Sequence, residues 1–304
     1  MKLQQLRYFV SVAEAGSIRQ AARNLNLSQS AVTQSIKELE QSLKTQLLER
    51  RSHSVIPTAA GIALIKRVGI IEAELRHAQD EIRMIDGSMV GDISVGMSPA
   101  IAFQILPDAI MRLKRNRPEI RLRLGQALYP DFLDDVRTGK FDFFVGIIPD
   151  HPTNLDMKGL DINVIASEPL QPVVREGHPL ASKKKLTLRE LAEWEWISFG
   201  QREDQRRFFQ DHFLDGNLSP PRSTIETDSN NLVRALLERS DYIAFLPHHF
   251  FTGDTETSKL VELSIEGSIP TWEFAIIKRE NNLLPPLTRM LITEIVRVAR
   301  LELT

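Results

Sequence analysis

Ser17-Ile18-Arg19-Gln20-Ala21-Ala22-Arg23-Asn24-Leu25-Asn26-Leu27-Ser28-Gln29-Ser30-Ala31-Val32-Thr33-Gln34-Ser35-Ile36-Lys37 decides how the first part of this chain folds. Ser17 and Ser28 stand ahead of two short apolar-periodic runs, where a serine hydroxyl can accept a bond from an otherwise orphaned N–H at a helix start. The first run sets Ala21, Ala22 and Leu25 on one small apolar face, and Asn26 supplies the turn. In the second, Val32, Ile36 and Leu39 recur at four and three residues, so one stripe is buried. That leaves Ser28, Gln29, Ser30, Thr33, Gln34 and Lys37 outward, short polar groups able to reach base edges in a DNA groove. Two capped helices so close together also arise by chance, so the flanks carry weight.

Upstream, Leu3, Leu6, Phe9, Val10 and Ala13 keep helical spacing, and a third helix can cover the small-residue face. Downstream, Leu47 to Thr58 has a polar, turn-rich middle and a β-branched close, the pattern of a short two-stranded wing. Arg50, Arg51 and His53 lie where such a wing meets phosphate. Within residues 1–58, eight lysines and arginines face four glutamates, in a chain whose formal net charge is -2. A basic module on an otherwise acidic protein is the electrostatic footprint of DNA binding.

On these residues the chain resembles the LysR-type transcriptional regulators. The resemblance rests on Leu6-x-x-Phe9, Gly16-Ser17, Ala21-Ala22, Leu25-x-Leu27-Ser28-Gln29-Ser30-Ala31-Val32-Thr33, Ile36-x-x-Leu39-Glu40, Leu43, Leu47-Leu48-x-Arg50 and Pro57-Thr58-x-x-Gly61. Two departures stand out: the family usually has proline where Ser30 stands, and phenylalanine is common at Leu48. The resemblance implies a winged helix-turn-helix head, a linker helix through which subunits dimerise, and a two-lobed effector domain like the periplasmic binding proteins.

From Thr58 to about Asp86 there is no proline, and Gly87 follows. The segment reads as one helix, roughly 40 Å long at 1.5 Å per residue. Gly61, Leu64, Val68, Ile71, Leu75, Ala78, Ile82 and Ile85 step alternately by three and four, a 3.5-residue period. Such a stripe packs either on its own domain or against a partner helix. The sustained period favours the second, with Leu64, Val68, Ile71, Leu75, Ala78 and Ile82 in the seam.

Beyond Gly91 strands and helices alternate, as in an α/β, doubly wound domain. Ile93, Val95 and Met97 mark a first strand, Ser98-Pro99 opens a helical stretch, Ile120 to Leu124 is a second strand, Asp131 to Thr138 a helix, and Phe141 to Ile148 a strand apolar enough to be buried on both faces. A second unit runs through Leu170 to Val174, Trp196 to Phe199 and Tyr242 to Pro247. A return strand at Trp272 to Ile277 and a final helix from Leu287 pack back on the first. The expected organisation is a head at 1–58, a linker helix at 59–87 and an effector domain at 91–304. Its lobe I spans about 91–163 and 268–304 and its lobe II about 164–267, with crossings near Val164-Ile165 and Gly267-Ser268.

Ligands of open α/β sheets sit beyond the carboxyl ends of the strands. That position collects Ser98, Pro99 and Ala100, then Tyr129 and Pro130, then Gly146 and Ile147, with Phe199, Gly200 and Ser229 across the cleft. Taken alone, Ser98 reads as a simple helix cap; the family resemblance is what implies an effector contact at this turn. Tyr129 could stack on an aromatic effector or simply pack. Asp228 would repel a carboxylate and reads as a cap. The implied effector is a small organic anion, aromatic or sulfonated.

There is no cysteine, and His248-His249 lacks a third group at metal-ligand spacing. No phosphate loop, Gly-x-Ser-x-Gly or Gly-x-Gly-x-x-Gly occurs, so no catalytic, cofactor or metal role is expected. No apolar run nears the roughly 20 residues of a membrane helix. The sequence therefore predicts a cytoplasmic, homodimeric or homotetrameric transcriptional regulator that binds promoter DNA and answers to a small effector. The alternatives are a sensor without promoter-specific binding and a DNA-binding protein that ignores ligands.

Overall fold

A computed structural model describes residues 1–51, 54–86, 90–102, 105–127, 130–148, 157–199, 203–221, 223–248, 259–267 and 269–302. The head is built from α1 (Leu3–Ala15), α2 (Ile18–Asn24) and α3 (Gln29–Leu43). Ser17 accepts from Gln20 N–H at 3.4 Å and Ser28 from Ala31 N–H at 3.1 Å, so both predicted caps form. Asn26 takes φ 54°, the left-handed turn between the two helices. Leu6, Phe9 and Val12 of α1 close over Ala21, Ala22, Val32, Ile36 and Leu39. The wing follows as β1 (Leu48–Arg50) and β2 (Val55–Pro57), antiparallel. Its start is held by Glu40, whose carboxylate accepts from the N–H groups of Leu47 (2.8 Å) and Leu48 (3.3 Å).

The linker helix α4 (Ala59–Ile85) opens on Thr58, whose Oγ1 accepts from Gly61 N–H and donates to the Gln46 carbonyl. Three faces of α4 meet three environments. Gly61, Leu64 and Val68 turn toward the head, and a Cβ at Gly61 would lie 2.2 Å from the Leu47 carbonyl oxygen. Gly69, Ala73, His77 and Asp80 face the following domain; a Cβ at Gly69 would lie 2.3 Å from the Thr138 carbonyl oxygen. Ile71, Leu75, Ala78, Ile82 and Ile85 are exposed. The seam expected from the 3.5-residue period is thus corrected at its start: Val68, 2% exposed, belongs to the head core, and Leu64 packs partly against it. The period was right for the helix and silent about which layer covers each turn.

The next domain contains β3 (Asp92–Met97), a 3₁₀ turn (Ala100–Ala102), α5 (Ile105–Asn116), β4 (Arg121–Gln126), α6 (Asp131–Arg137), β5 (Phe143–Ile148) and β6 (Leu160–Arg175). The chain goes on through α7 (Leu188–Ala192), β7 (Trp196–Phe199), α8 (Glu203–Asp215), β8 (Ser223–Thr227), α9 (Asn230–Leu237), β9 (Ala244–Pro247), β10 (Leu260–Glu262), β11 (Thr271–Arg279) and α10 (Pro286–Glu302). Lobe I has the order β4-β3-β5-β11-β6, with β3, β4 and β5 parallel and β11 antiparallel to both of its neighbours. Helices α5 and α10 bury Ile105, Leu106, Leu291 and Ile295 on one face, while α6 buries Phe132 and Val136 on the other. Helices on both faces make the sheet doubly wound.

In lobe II, β6 pairs with β9 and β10, and β7 with β8. Trp196, fully buried among Phe209, Phe213 and Phe245, centres its core and donates its indole N–H to the Leu191 carbonyl. The lobes are joined differently from the expected crossing at Val164-Ile165. Strand β6 runs unbroken from Leu160 to Arg175 and changes partner from β11 to β9 between Pro169 and Leu170. Proline has no N–H to continue a ladder, which makes Pro169 a natural last rung. Ile165 sits in a bulge opposite Phe274 and Ala275. The return crossing runs close by, where Leu170 N–H donates to the Pro270 carbonyl at 2.7 Å; Ser268 lies outside the described residues.

Candidate functional site

Two surfaces collect the functional residues. On α3, burial of Val32, Ile36 and Leu39 turns Gln29, Ser30, Gln34 and Lys37 to solvent, with Thr33 partly covered. Several of these groups already have partners. Ser28 is spent largely as a cap and lies 3.0 Å from the Ser30 hydroxyl, and Thr33 donates to the Gln29 carbonyl at 2.8 Å. Gln34 donates through Nε2 to Glu38 at 3.1 Å, and Glu38 also accepts from Gln5 at 3.2 Å. Arg51 is exposed on the wing, where its backbone N–H donates to the Ser54 carbonyl at 2.8 Å. His53 and the side chain of Arg50 lie outside the described residues.

The second surface lies at the carboxyl ends of β3 and β5. Ser98 is 5% exposed; its N–H donates to the Val145 carbonyl, and its hydroxyl accepts from Ile147 N–H at 3.4 Å. Gly146 makes this contact possible, since a Cβ there would stand 2.4 Å from the Ser98 oxygen. Ser98, Gly146 and Ile147 are therefore brought together. The helix start expected at Ser98-Pro99 is corrected to the three-residue 3₁₀ turn at Ala100–Ala102, with α5 beginning at Ile105. Ala100 is buried, Pro99 half-buried, and the Pro99 carbonyl accepts from Ala102 N–H. Pro130 caps α6 and is exposed. On the other lobe, Ser229 caps α9 by accepting from Leu232 N–H at 3.3 Å. Tyr129, Gly200 and the side chain of Phe199 are outside the described residues.

A third feature, unforeseen in the sequence, joins the linker helix to lobe I. Asp142 is buried and accepts from His77 Nε2 at 2.8 Å, Arg76 at 2.7 Å and Ser94 N–H at 2.8 Å. Burial alone would push its carboxyl up, but the bonds from His77 and Ser94 and the Arg76 charge outweigh it and hold the group below its ordinary range. Nearby, Asp80 accepts from Asp92 N–H at 3.2 Å, and burial raises its carboxyl. Arg279 and Lys66 add pairs to Glu74 and Asp134. The small and polar residues at 69, 73, 77 and 80 were the signal for this docking face, and the stronger apolar stripe hid it.

Among the described residues no group of acidic, histidine or cysteine side chains could hold a metal, and no helix is long and apolar enough to cross a membrane. His178 is buried against Trp194. It accepts from Leu180 N–H through Nδ1 and meets the Asp241 carbonyl through Nε2 at 3.1 Å, so it is the neutral tautomer with the proton on Nε2.

Comparison with known proteins agrees with this architecture. Residues 3–62 match the bacterial regulatory helix-turn-helix model of the lysR family, and residues 86–300 match the LysR substrate binding domain. The chain belongs to the LysR family of DNA-binding transcriptional regulators, with an effector-binding domain behind the DNA-binding head. It is 30% identical over 244 residues to the transcriptional regulator GbpR of Rhizobium radiobacter, covering 80% of each chain. Full-length OxyR from Pseudomonas aeruginosa, a cysteine-to-aspartate variant, has a similar fold, with TM-score 0.72, 22% identity and coverage of 99% of this chain and 95% of that one. CbnR complexed with its target DNA gives TM-score 0.67 at 23% identity, covering 98% and 100%. These relatives are regulators, not enzymes. LysR regulators bind promoter DNA and small-molecule effectors and form oligomers.

Proposed function

We propose that α3 enters the major groove and reads bases through Gln29, Ser30, Thr33 and Gln34, while Lys37, Arg50, Arg51 and His53 hold phosphates and Ser28 fixes the start of the reading helix. A small organic anion binds between the lobes against Ser98, Pro99, Ala100, Gly146 and Ile147, with Tyr129, Pro130, Phe199, Gly200 and Ser229 completing the cleft. Work is divided among residues 1–58, 59–87 and 91–304, and the free face of α4 at Ile71, Leu75, Ala78 and Ile82 joins subunits as dimers that pair into a tetramer. A promoter-binding regulator of this kind acts in the cytoplasm.

The observation that carries the effector assignment is the Ser98 hydroxyl against Gly146 and Ile147, at the carboxyl ends of two parallel strands. A hydroxyl and the N–H groups of a 3₁₀ turn at the mouth of a two-lobed sheet offer directional donors to a carboxylate or sulfonate. A thermal-shift screen of aromatic carboxylates and sulfonates beside their neutral isosteres tests this. A ligand at 100 times its Kd should add about 2.7 kcal/mol of stability. Ser98→Ala should remove the shift and leave DNA affinity intact. Equal stabilisation of the Ser98→Ala protein, or a preference for the neutral isosteres, contradicts the assignment.

A further inference from the structure

We propose that Glu38 is a positioning residue that locks the side-chain amide of Gln34 in the orientation that reads adenine; this rests on Gln34 being a base-contacting residue. The orientation is fixed by a chain of hydrogen bonds anchored in the head. Gln5, 8% exposed, accepts the Lys2 backbone N–H through Oε1 at 2.8 Å. A backbone N–H only donates, so the atom it meets is the Gln5 oxygen, and the Gln5 nitrogen is the one turned to Glu38, 3.2 Å from Oε2. An ionised carboxylate only accepts. Its other oxygen, Oε1, must therefore meet the nitrogen of Gln34, at 3.1 Å.

The amide of Gln34 is consequently not free to turn over. One hydrogen of Nε2 is committed to Glu38, and because Gln34 is exposed on α3 its carbonyl oxygen and second hydrogen are left for DNA. A fixed acceptor beside a fixed donor matches N6–H and N7 of adenine in the major groove. A solvated glutamine offers both orders equally and loses rotamer entropy when it chooses one. Through Glu38 and Gln5, the choice is made before DNA arrives.

In vitro selection from a randomised duplex library, using the full-length protein, tests the inference. The wild type should enrich adenine at one column of each half-site, and Gln34→Ala should relax that column about tenfold or more. Glu38→Ala should relax the same column and leave the other columns and the salt dependence unchanged. Glu38→Gln keeps the length and the bond from Gln5 yet can itself donate to Gln34, so it should lose the adenine preference in a folded protein. If Gln34→Ala leaves every column unchanged, the base-contact assignment fails. If Gln34→Ala relaxes a column that both Glu38 variants keep as adenine, only the positioning role fails. A wild-type preference for another base at that column, or a loss by Glu38→Gln spread evenly over all columns with unchanged melting, also overturns it.

Discussion

Gln34 and Arg51 lie in one proposed DNA-binding surface and should fail in different ways. Removing a base contact costs about 1 to 3 kcal/mol at the selected site and little on random DNA, whereas a lost phosphate contact weakens both and lowers the salt slope by about one. Competition binding at two salt concentrations separates Gln34→Ala from Arg51→Ala; equal losses on both DNAs for Gln34→Ala would contradict its role. His178 makes a second residue-scale prediction. Burial, chiefly, lowers its pKa in the folded protein, against an opposing bond to the Asp241 carbonyl. Below about pH 6.5 the unfolded chain takes up a proton that the folded chain refuses, so this residue's contribution to stability falls as the pH drops through that window. His212, also lowered by burial, acts in the same direction. Denaturation between pH 7.5 and 5.5 should show a shallower decline for His178→Gln than for the wild type. Parallel slopes would show that His178 does not titrate differently on folding.

At the scale of elements, α4 separates what patterning reveals from what it hides. Its length and its apolar stripe were legible, because a helical period is local; the Thr58 cap was found only in the structure. The layer over each turn was not legible, since Val68 and Leu75 have the same spacing and chemistry but only Val68 is covered by its own head. Leu75→Arg should therefore lower the oligomeric state in sedimentation while the head stays folded, and Val68→Ala should lower stability by about 2 kcal/mol with assembly retained. A surviving oligomer in Leu75→Arg would place the seam elsewhere. Gly69 tests the docking face. Alanine ordinarily favours a helix interior by about 1 kcal/mol over glycine, yet a Cβ here meets the Thr138 carbonyl oxygen at 2.3 Å. Gly69→Ala should lower the melting temperature by several degrees and speed proteolysis between α4 and lobe I; a raised melting temperature would show that the two are not packed this closely.

In the whole molecule, the two-lobed α/β order could be read from alternating strands and helices, but the way the lobes join could not. A chain that changes partners in the middle of one strand, as β6 does at Pro169, leaves no loop signature at the hinge. The docking of α4 through Asp142 was equally hidden, because a lone aspartate near the start of an apolar strand shows no partner until His77, Arg76 and Ser94 are brought around it in three dimensions. In the proposed function this docking is the contact through which effector binding would reach the DNA-binding head, on condition that assemblies of different subunit arrangement hold the effector with different affinity. A shift from 1:99 to 99:1 takes about 5.5 kcal/mol in total. The most direct test is the affinity and footprint of the full-length protein on the intergenic DNA beside its own gene, with and without a stabilising effector, for wild type and Ser98→Ala. The predicted result is specific binding by both proteins, with a change on adding effector in the wild type alone; no specific binding, no effect of effector, or the same effect in Ser98→Ala would contradict a regulator working through this cleft.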